Sequence, residues 1–189
     1  MWNEQIIMML LEGIKDTLYM TLTSTLIGYV IGLPMGILLT VTDKDGIHPN
    51  AAVYKVLDVI ANLIRSVPFL ILLIVLIPFT RFLIGRSYGP TATIVPLVIA
   101  AAPYIARMVE SSLKEVDAGV IEAARSMGAS NFTIVTKVML VEARTSLIVG
   151  ATISLGTILG YSAMAGTVGG GGLGDIAIRY GYTLSLIHI

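Results

Sequence analysis

Residues 17–42 read TLYMTLTSTLIGYVIGLPMGILLTVT, a run without a charged side chain. A membrane-spanning helix needs about 20 mostly apolar residues, so this run can cross a bilayer with some tilt. It is too long for the apolar part of a secretory signal, and the charged residues before it are mainly acidic. The run therefore predicts a first membrane span at 17–41 that stays in the mature protein.

Three more gaps in the charge pattern predict three more spans, at 59–80, 87–106 and 145–168. The second of these tolerates Arg65, because a long side chain near one end can reach the interface. The third carries several prolines, which membrane helices tolerate inside a bundle. We expect an all-α membrane protein, a polytopic helical bundle that forms one transmembrane domain over residues 1–189.

Composition supports this class. Of the 189 residues, 56% are hydrophobic and 13% are charged, with a mean hydropathy of +0.88, which is too little polar surface for a water-soluble globule. Twelve Lys and Arg balance twelve Asp and Glu, so the basic excess of a nucleic-acid-binding protein is missing. Cysteine is absent, and His48 and His188 are far apart, so we expect no metal site.

Lys and Arg favour cytoplasmic loops. The segments 42–58 and 107–144 carry more of these residues than the other loops do, so we predict that the N-terminus lies outside. The basic residues of these two segments are Lys44, Lys55, Arg107, Lys114, Arg125, Lys137 and Arg144.

Two spans carry glycines at the four-residue spacing that lets membrane helices approach closely. The first span has Gly28, Gly32 and Gly36, and the fourth has Gly156 and Gly160. Both sets predict close helix packing.

The segment 107–144 is far longer than a plain connection needs. Helix formers follow Ala118, Gly128 can end that helix, and Ser130 can cap a second one. We predict a helix–Gly–helix elbow whose second helix packs through an apolar face. That face comprises Phe132, Ile134, Val135, Val138 and Met139. From the residues alone, a hairpin lying on lipid headgroups stays an alternative.

This elbow resembles the EAA loop of ABC importer permeases, which docks into a groove of a cytoplasmic ATPase. The matching residues are Glu122, Ala123, Ala124, Gly128, Ile134 and Leu140. The stretches RSVPF at 65–69, IPFTR at 77–81, AAPYIARMVE at 101–110 and GYSAMAG at 160–166 are most similar to methionine importer permeases.

The resemblance implies a type I importer permease with a five-span core. Because only residues 183–189 follow Gly181-Tyr182, we expect the fifth span to be truncated. Val141 stands where the family usually has proline, which should soften the boundary between the second loop helix and the fourth span.

The resemblance also implies partners: a separate ATPase that carries ATP and Mg, an extracytoplasmic substrate-binding protein, and a second copy of the chain. No cofactor is expected in this chain. Residues 169–174 formally contain G-x-G-x-x-G, but they follow a membrane helix and not a strand, so we predict a flexible turn on the outer face.

Two other classes of membrane protein fit the sequence less well. An intramembrane protease would need a base beside Ser162, and no span contains His or an acidic residue beyond Asp58 at an edge. An ion-coupled carrier or channel usually has mid-membrane charges, and only Arg65 comes near a span interior.

We predict no catalytic residue and a translocation path on span four, lined by Ser154, Tyr161, Ser162 and Met164. The flexible thioether of Met164 suits a gate, although packing against a neighbouring helix is an alternative. The residues Asp58, Asn62 and Arg65 share one face of span two, either as a vestibule lining or as an interfacial polar face. The substrate is methionine on the resemblance alone, and another small amino acid stays open.

Overall fold

The computed structural model describes residues 4–183, and within that range the chain is helical without strands. The α-helices are α1 Glu4–Thr42, α2 Ala51–Ser66, α3 Phe69–Val75, α4 Ile77–Ile84, α5 Pro90–Lys114, α6 Ala118–Ser126, α7 Asn131–Thr133, α8 Leu140–Glu142, α9 Arg144–Ala165 and α10 Gly172–Ile176. A 3₁₀ turn covers Gly166–Val168, and π-helical segments cover Ile134–Met139 and Ala177–Thr183.

Among the described residues, three helices are long and apolar enough to cross a membrane: Glu4–Thr42, Pro90–Lys114 and Arg144–Val168. A fourth crossing exists if α2 and α3 count as one broken span. The first, third and fourth predicted spans therefore each correspond to a helix of spanning length and composition.

The second predicted span, 59–80, is wrong as one continuous helix. The axis bends by 101° between α2 and α3. Pro68 has no N–H and disfavours helical geometry at Val67, and it lies in an extended conformation with φ −53° and ψ 133°. A further break follows at Leu76, after which Pro78 occupies the first turn of α4.

The helix that contains the third predicted span, 87–106, begins at Pro90 and continues beyond that span to Lys114. Its last two turns carry Arg107, Glu110 and Lys114, which pair with one another, with Asp58 of α2 and with Asp43 in the turn after α1. Paired in this way, charged residues extend the helix beyond the apolar run.

The described chain divides into two compact units. One comprises residues 4–27, 67–101 and 155–183, and the other comprises residues 28–66 and 102–154. α5 contributes the largest buried stripe, in which Leu97, Ala101, Ile105, Val109 and Leu113 recur every four residues.

In the first unit, the glycine-rich turn is fixed by its own chain. Gly169, Gly171 and Gly172 adopt positive φ, and the hydroxyl of Thr17 accepts a 2.9 Å hydrogen bond from the Leu173 N–H. The helix that begins at Gly172 continues as a π-helical segment to Thr183, so the flexible turn predicted for residues 169–174 is wrong from Gly172 onward. The expected truncation and His188 fall on residues 184–189, which lie outside the described residues.

Candidate functional site

The predicted elbow is confirmed in the 107–144 segment. Asp117 caps α6 by accepting a 2.7 Å hydrogen bond from the Gly119 N–H. Gly128 ends the helix with φ +82°, and its N–H reaches the Arg125 carbonyl. Ser130 then caps α7 by accepting from the Thr133 N–H at 3.2 Å. Both arms of the elbow thus have fixed ends.

The six residues that resemble the EAA loop divide into a surface and a base. Glu122, Ala123 and Gly128 are exposed. Ala124 and Ile134 are buried and Leu140 is half-buried, so these three anchor the elbow to the rest of the chain.

The predicted apolar face of the second loop helix is wrong for Phe132, whose exposed fraction is 77%. The segment Ile134–Met139 is π-helical, and a π-helix brings residues five apart onto the same side. Ile134 and Met139 are accordingly the two buried residues of this segment. The prediction assumed the α-helical period, which does not hold in a π-helical segment.

Two large apolar side chains are exposed on the elbow. Met127, next to Gly128, has an exposed fraction of 81%, and Phe132 lies on the other arm. Their exposed apolar area is available for contact with a partner.

Behind the elbow, α1, α2 and α5 are joined by a set of ion pairs that we call the charge ladder: Asp43, Asp58, Arg107, Glu110 and Lys114. The Arg107 guanidinium contacts the Asp58 carboxylate and donates to Glu110 at 2.7 Å. Lys114 donates to Glu110 at 2.8 Å and to Asp43 at 2.6 Å.

The predicted polar face of span two joins this ladder. Asp58 pairs with Arg107, and the Asn62 amide oxygen accepts from Arg107 at 3.0 Å. Arg65 instead stands 5.9 Å from the ring centroid of Tyr104. Two of the three polar residues therefore hold α2 against α5.

The predicted pathway residues of α9 do not form one surface. Ser154 is fully buried and donates to the Gly150 carbonyl at 2.8 Å. Ser162 is also buried and donates to the Leu159 carbonyl at 2.8 Å. Tyr161 is half-buried and stacks on Phe69 with ring centroids 4.5 Å apart. Met164 alone of the four is exposed.

One stripe on the exposed side of α9 is instead lined by small residues, beside the exposed Ile153, Leu155 and Leu159. Thr152, Gly156, Gly160 and Ala163 recur at helical spacing and are exposed. A Cβ placed at Gly156 or Gly160 would meet no heavy atom of the described chain within 4 Å outside its own helix turn. The close packing predicted for these two glycines is absent from residues 4–183.

The glycines of α1 behave in the opposite way. A Cβ at Gly32 would lie 2.7 Å from the Ala102 carbonyl oxygen, and one at Gly36 would lie 2.6 Å from the Ala106 carbonyl oxygen. The close approach predicted for these two positions is confirmed.

Residues 8–186 match the family described as "Binding-protein-dependent transport system inner membrane component". The chain belongs to this family of membrane transport proteins. Within the described residues, no group of three or more His, Cys, Asp or Glu could hold a metal ion.

Among its relatives is the D-methionine transport system permease protein MetI of Escherichia coli (strain K12), which is 52% identical over 164 residues, covering 87% of this chain and 76% of that protein. The probable MetI of Vibrio cholerae is 48% identical over 174 residues, covering 92% and 77%. These relatives are named as transport permeases, and the chain is a transport subunit and not an enzyme.

A solved structure of the MetNI methionine ABC transporter in an inward-facing conformation contains a chain with a TM-score of 0.94 at 51% identity, covering 96% of this chain and 84% of that one. An amino acid ABC transporter crystallised with histidines shares the fold, with a TM-score of 0.76 at 23% identity. The fold is that of a type I ABC importer permease.

Proposed function

We propose that the chain is the permease subunit of an ATP-binding cassette importer for methionine, driven by a separate cytoplasmic ATPase that carries ATP and Mg. The observation that carries the proposal is the capped elbow, which presents Glu122, Ala123 and Gly128 at the surface in a fixed geometry. The MetI relatives and the MetNI structure support the same function.

The ATPase would dock on the elbow. Met127 and Phe132 flank Gly128 and supply apolar area that a groove can bury. Because α6 is capped at both ends, a push on the elbow moves the whole helix instead of unwinding it. Glu122 and Gly128 would transmit this motion.

The translocation path would lie between two copies of the chain. The small-residue side of α9 allows the backbone of a second copy to approach closely, whereas lipid-facing positions gain nothing from small side chains. Met164 stands next to this side and would act as a gate. An extracytoplasmic binding protein would deliver the substrate at the outer face, where the N-terminus would lie.

Uptake of labelled methionine into proteoliposomes tests the proposal. The permease is reconstituted with its ATPase and its binding protein. We expect ATP-dependent uptake that excess unlabelled methionine abolishes. Competition by another amino acid and not by methionine would indicate that this amino acid is the substrate. Uptake without the ATPase would favour an ATP-independent carrier.

Gly128→Val tests the elbow. Valine at φ +82° costs about 1–2 kcal/mol, which should displace the surface residues and lower uptake about 5–30-fold while membrane insertion continues. Gly128→Asn is the matched control, because Asn tolerates the left-handed region. Normal uptake by Gly128→Val would contradict the assignment of the elbow as the docking site of the ATPase.

A further inference from the structure

The central carboxylate of the charge ladder, that of Glu110, is buried. Glu110 is 5% exposed and accepts from Arg107, from Lys114 and, at 3.4 Å, from the Tyr54 hydroxyl. Arg107, Glu110 and Lys114 are spaced by three and four residues, so they share one face of α5. A buried carboxylate with three donors fixes that face of α5 to its neighbours.

One end of the ladder holds the turn that follows α1. This turn, residues 43–50, is closed by its own backbone, since the Gly46 N–H donates to the Asp43 carbonyl at 2.9 Å and the His48 N–H donates to the Val41 carbonyl at 3.0 Å. The Lys114 ammonium reaches the Asp43 carboxylate at 2.6 Å. The last residue of α5 is therefore tied to the first residue of the turn.

The elbow holds the same turn from the other side. Arg125 of α6 donates to the Ile47 carbonyl at 2.9 Å. Only residues 115–117 separate α5 from α6. The end of α5, α6 and the 43–50 turn thus form a closed ring of covalent and polar links, and the turn is continuous with α1 and α2.

We infer that Asp43 and Lys114 are positioning residues for energy coupling: their ion pair makes the elbow, the 43–50 turn and the ends of α1 and α2 move together. This inference rests on the proposed function. Without the pair, α6 would still contact the turn through Arg125 and α5 would still pack on α1 at Gly32 and Gly36, but the C-terminal end of α5 would be released from the turn. A smaller part of the motion of the elbow would then be transmitted to α1 and α2.

The pair is present throughout the pH range of a transport assay. The hydrogen bond from Lys114 lowers the pKa of Asp43 below its ordinary value. A carboxyl whose pKa is lowered by folding gives its full stabilisation above the ordinary value and loses it only as the pH falls through the lowered value. The effect of removing the pair should therefore be the same from neutral to mildly acidic pH.

Asp43→Ala in the reconstituted complex tests the inference, with methionine imported per ATP hydrolysed as the readout. We expect ATP hydrolysis to continue while this ratio falls about tenfold. Asp45→Ala is the matched control, because Asp45 lies in the same turn, is 82% exposed at its side chain and, among residues 4–183, pairs only with the exposed Lys44 at 3.7 Å. The control should leave the ratio within about twofold, since exposed pairs contribute little.

A covalent replacement separates coupling from stability. Residues 1–189 contain no cysteine, so Asp43→Cys with Lys114→Cys creates one pair of thiols in each copy that a short bis-maleimide can bridge. The unbridged double variant should be uncoupled, and bridging should restore the ratio. A bridge that blocks transport, failure of the thiols to be bridged, or an unchanged ratio in Asp43→Ala would overturn the inference. Absence of uptake by the unaltered chain would instead overturn the proposed function.

Discussion

The glycines of α1 and those of α9 follow the same four-residue spacing but meet different surroundings. At Gly32 and Gly36 the chain's own α5 comes so close that a methyl group would collide with backbone carbonyls. At Gly156 and Gly160 the same methyl group would meet open space. The first set packs against α5, and the second set is left open by residues 4–183.

The difference shows what a small-residue repeat means in a membrane helix. The spacing specifies a close helix contact but does not specify which helix makes it. The α1 repeat is used within the chain, so we assign the α9 repeat to a contact between chains. Substitutions at the two repeats should therefore damage different properties.

The largest expected effect is on stability, at the glycine repeat of α1, against which α5 packs. Gly36→Leu places a Cβ 2.6 Å from the Ala106 carbonyl oxygen and 2.7 Å from the Val109 Cβ, and neither backbone nor branched side chain can yield easily. Overpacking of this kind costs about 1–3 kcal/mol and sometimes more. Thermal denaturation of the detergent-solubilised permease, followed by size exclusion, should show a clear loss of folded protein. A stable Gly36→Leu permease would break the comparison.

A smaller effect on stability is expected at the glycine repeat of α9, Gly156 and Gly160. Substitution there should instead reduce transport. The Cβ of Gly160→Leu meets nothing inside the described chain, so its melting temperature should not fall below that of the unaltered protein. Methionine uptake should fall, because leucine separates the two copies along the path. Leu159→Met, a volume-conserving change at the neighbouring exposed residue, is the control and should keep uptake. Unfolding of Gly160→Leu would show that the repeat is filled after all.

The smallest effect is expected at Gly150, where α9 meets ordinary contacts. A Cβ there would lie 3.6 Å from the Met108 Cε and 3.7 Å from its Cβ, which is normal van der Waals distance. Gly150→Ala should therefore stabilise the helix by about 0.5–1 kcal/mol. The melting temperature should rise by a few degrees, and a fall would mean that the site is tighter than described.

Much of the fold was predictable because charge gaps and capping residues are local signals. The spans corresponding to α1, α5 and α9 follow from uncharged runs, and the elbow follows from Gly128 and Ser130. The break at Pro68 was visible as a proline, but an uninterrupted apolar run on its C-terminal side favoured one continuous span.

The candidate site was less predictable because its decisive contacts are long-range. Asp43 pairs with Lys114 and Asp58 pairs with Arg107, and nothing near either residue in sequence indicates its partner. The exposure of Phe132 depends on a π-helical segment, which hydrophobic periodicity does not reveal. The burial of Ser154 and Ser162 likewise depends on which side of α9 faces the rest of the chain.

The most direct test of the account is disulfide cross-linking between copies in native membranes. Because the chain has no cysteine, Gly160→Cys introduces one thiol on the open side of α9, and Ser162→Cys introduces one on the buried side of the same helix. Mild oxidation should link Gly160→Cys chains into dimers and leave Ser162→Cys chains monomeric on a denaturing gel. Equal cross-linking of the two variants, or dimers from Ser162→Cys alone, would contradict the assignment of the α9 repeat to a second copy.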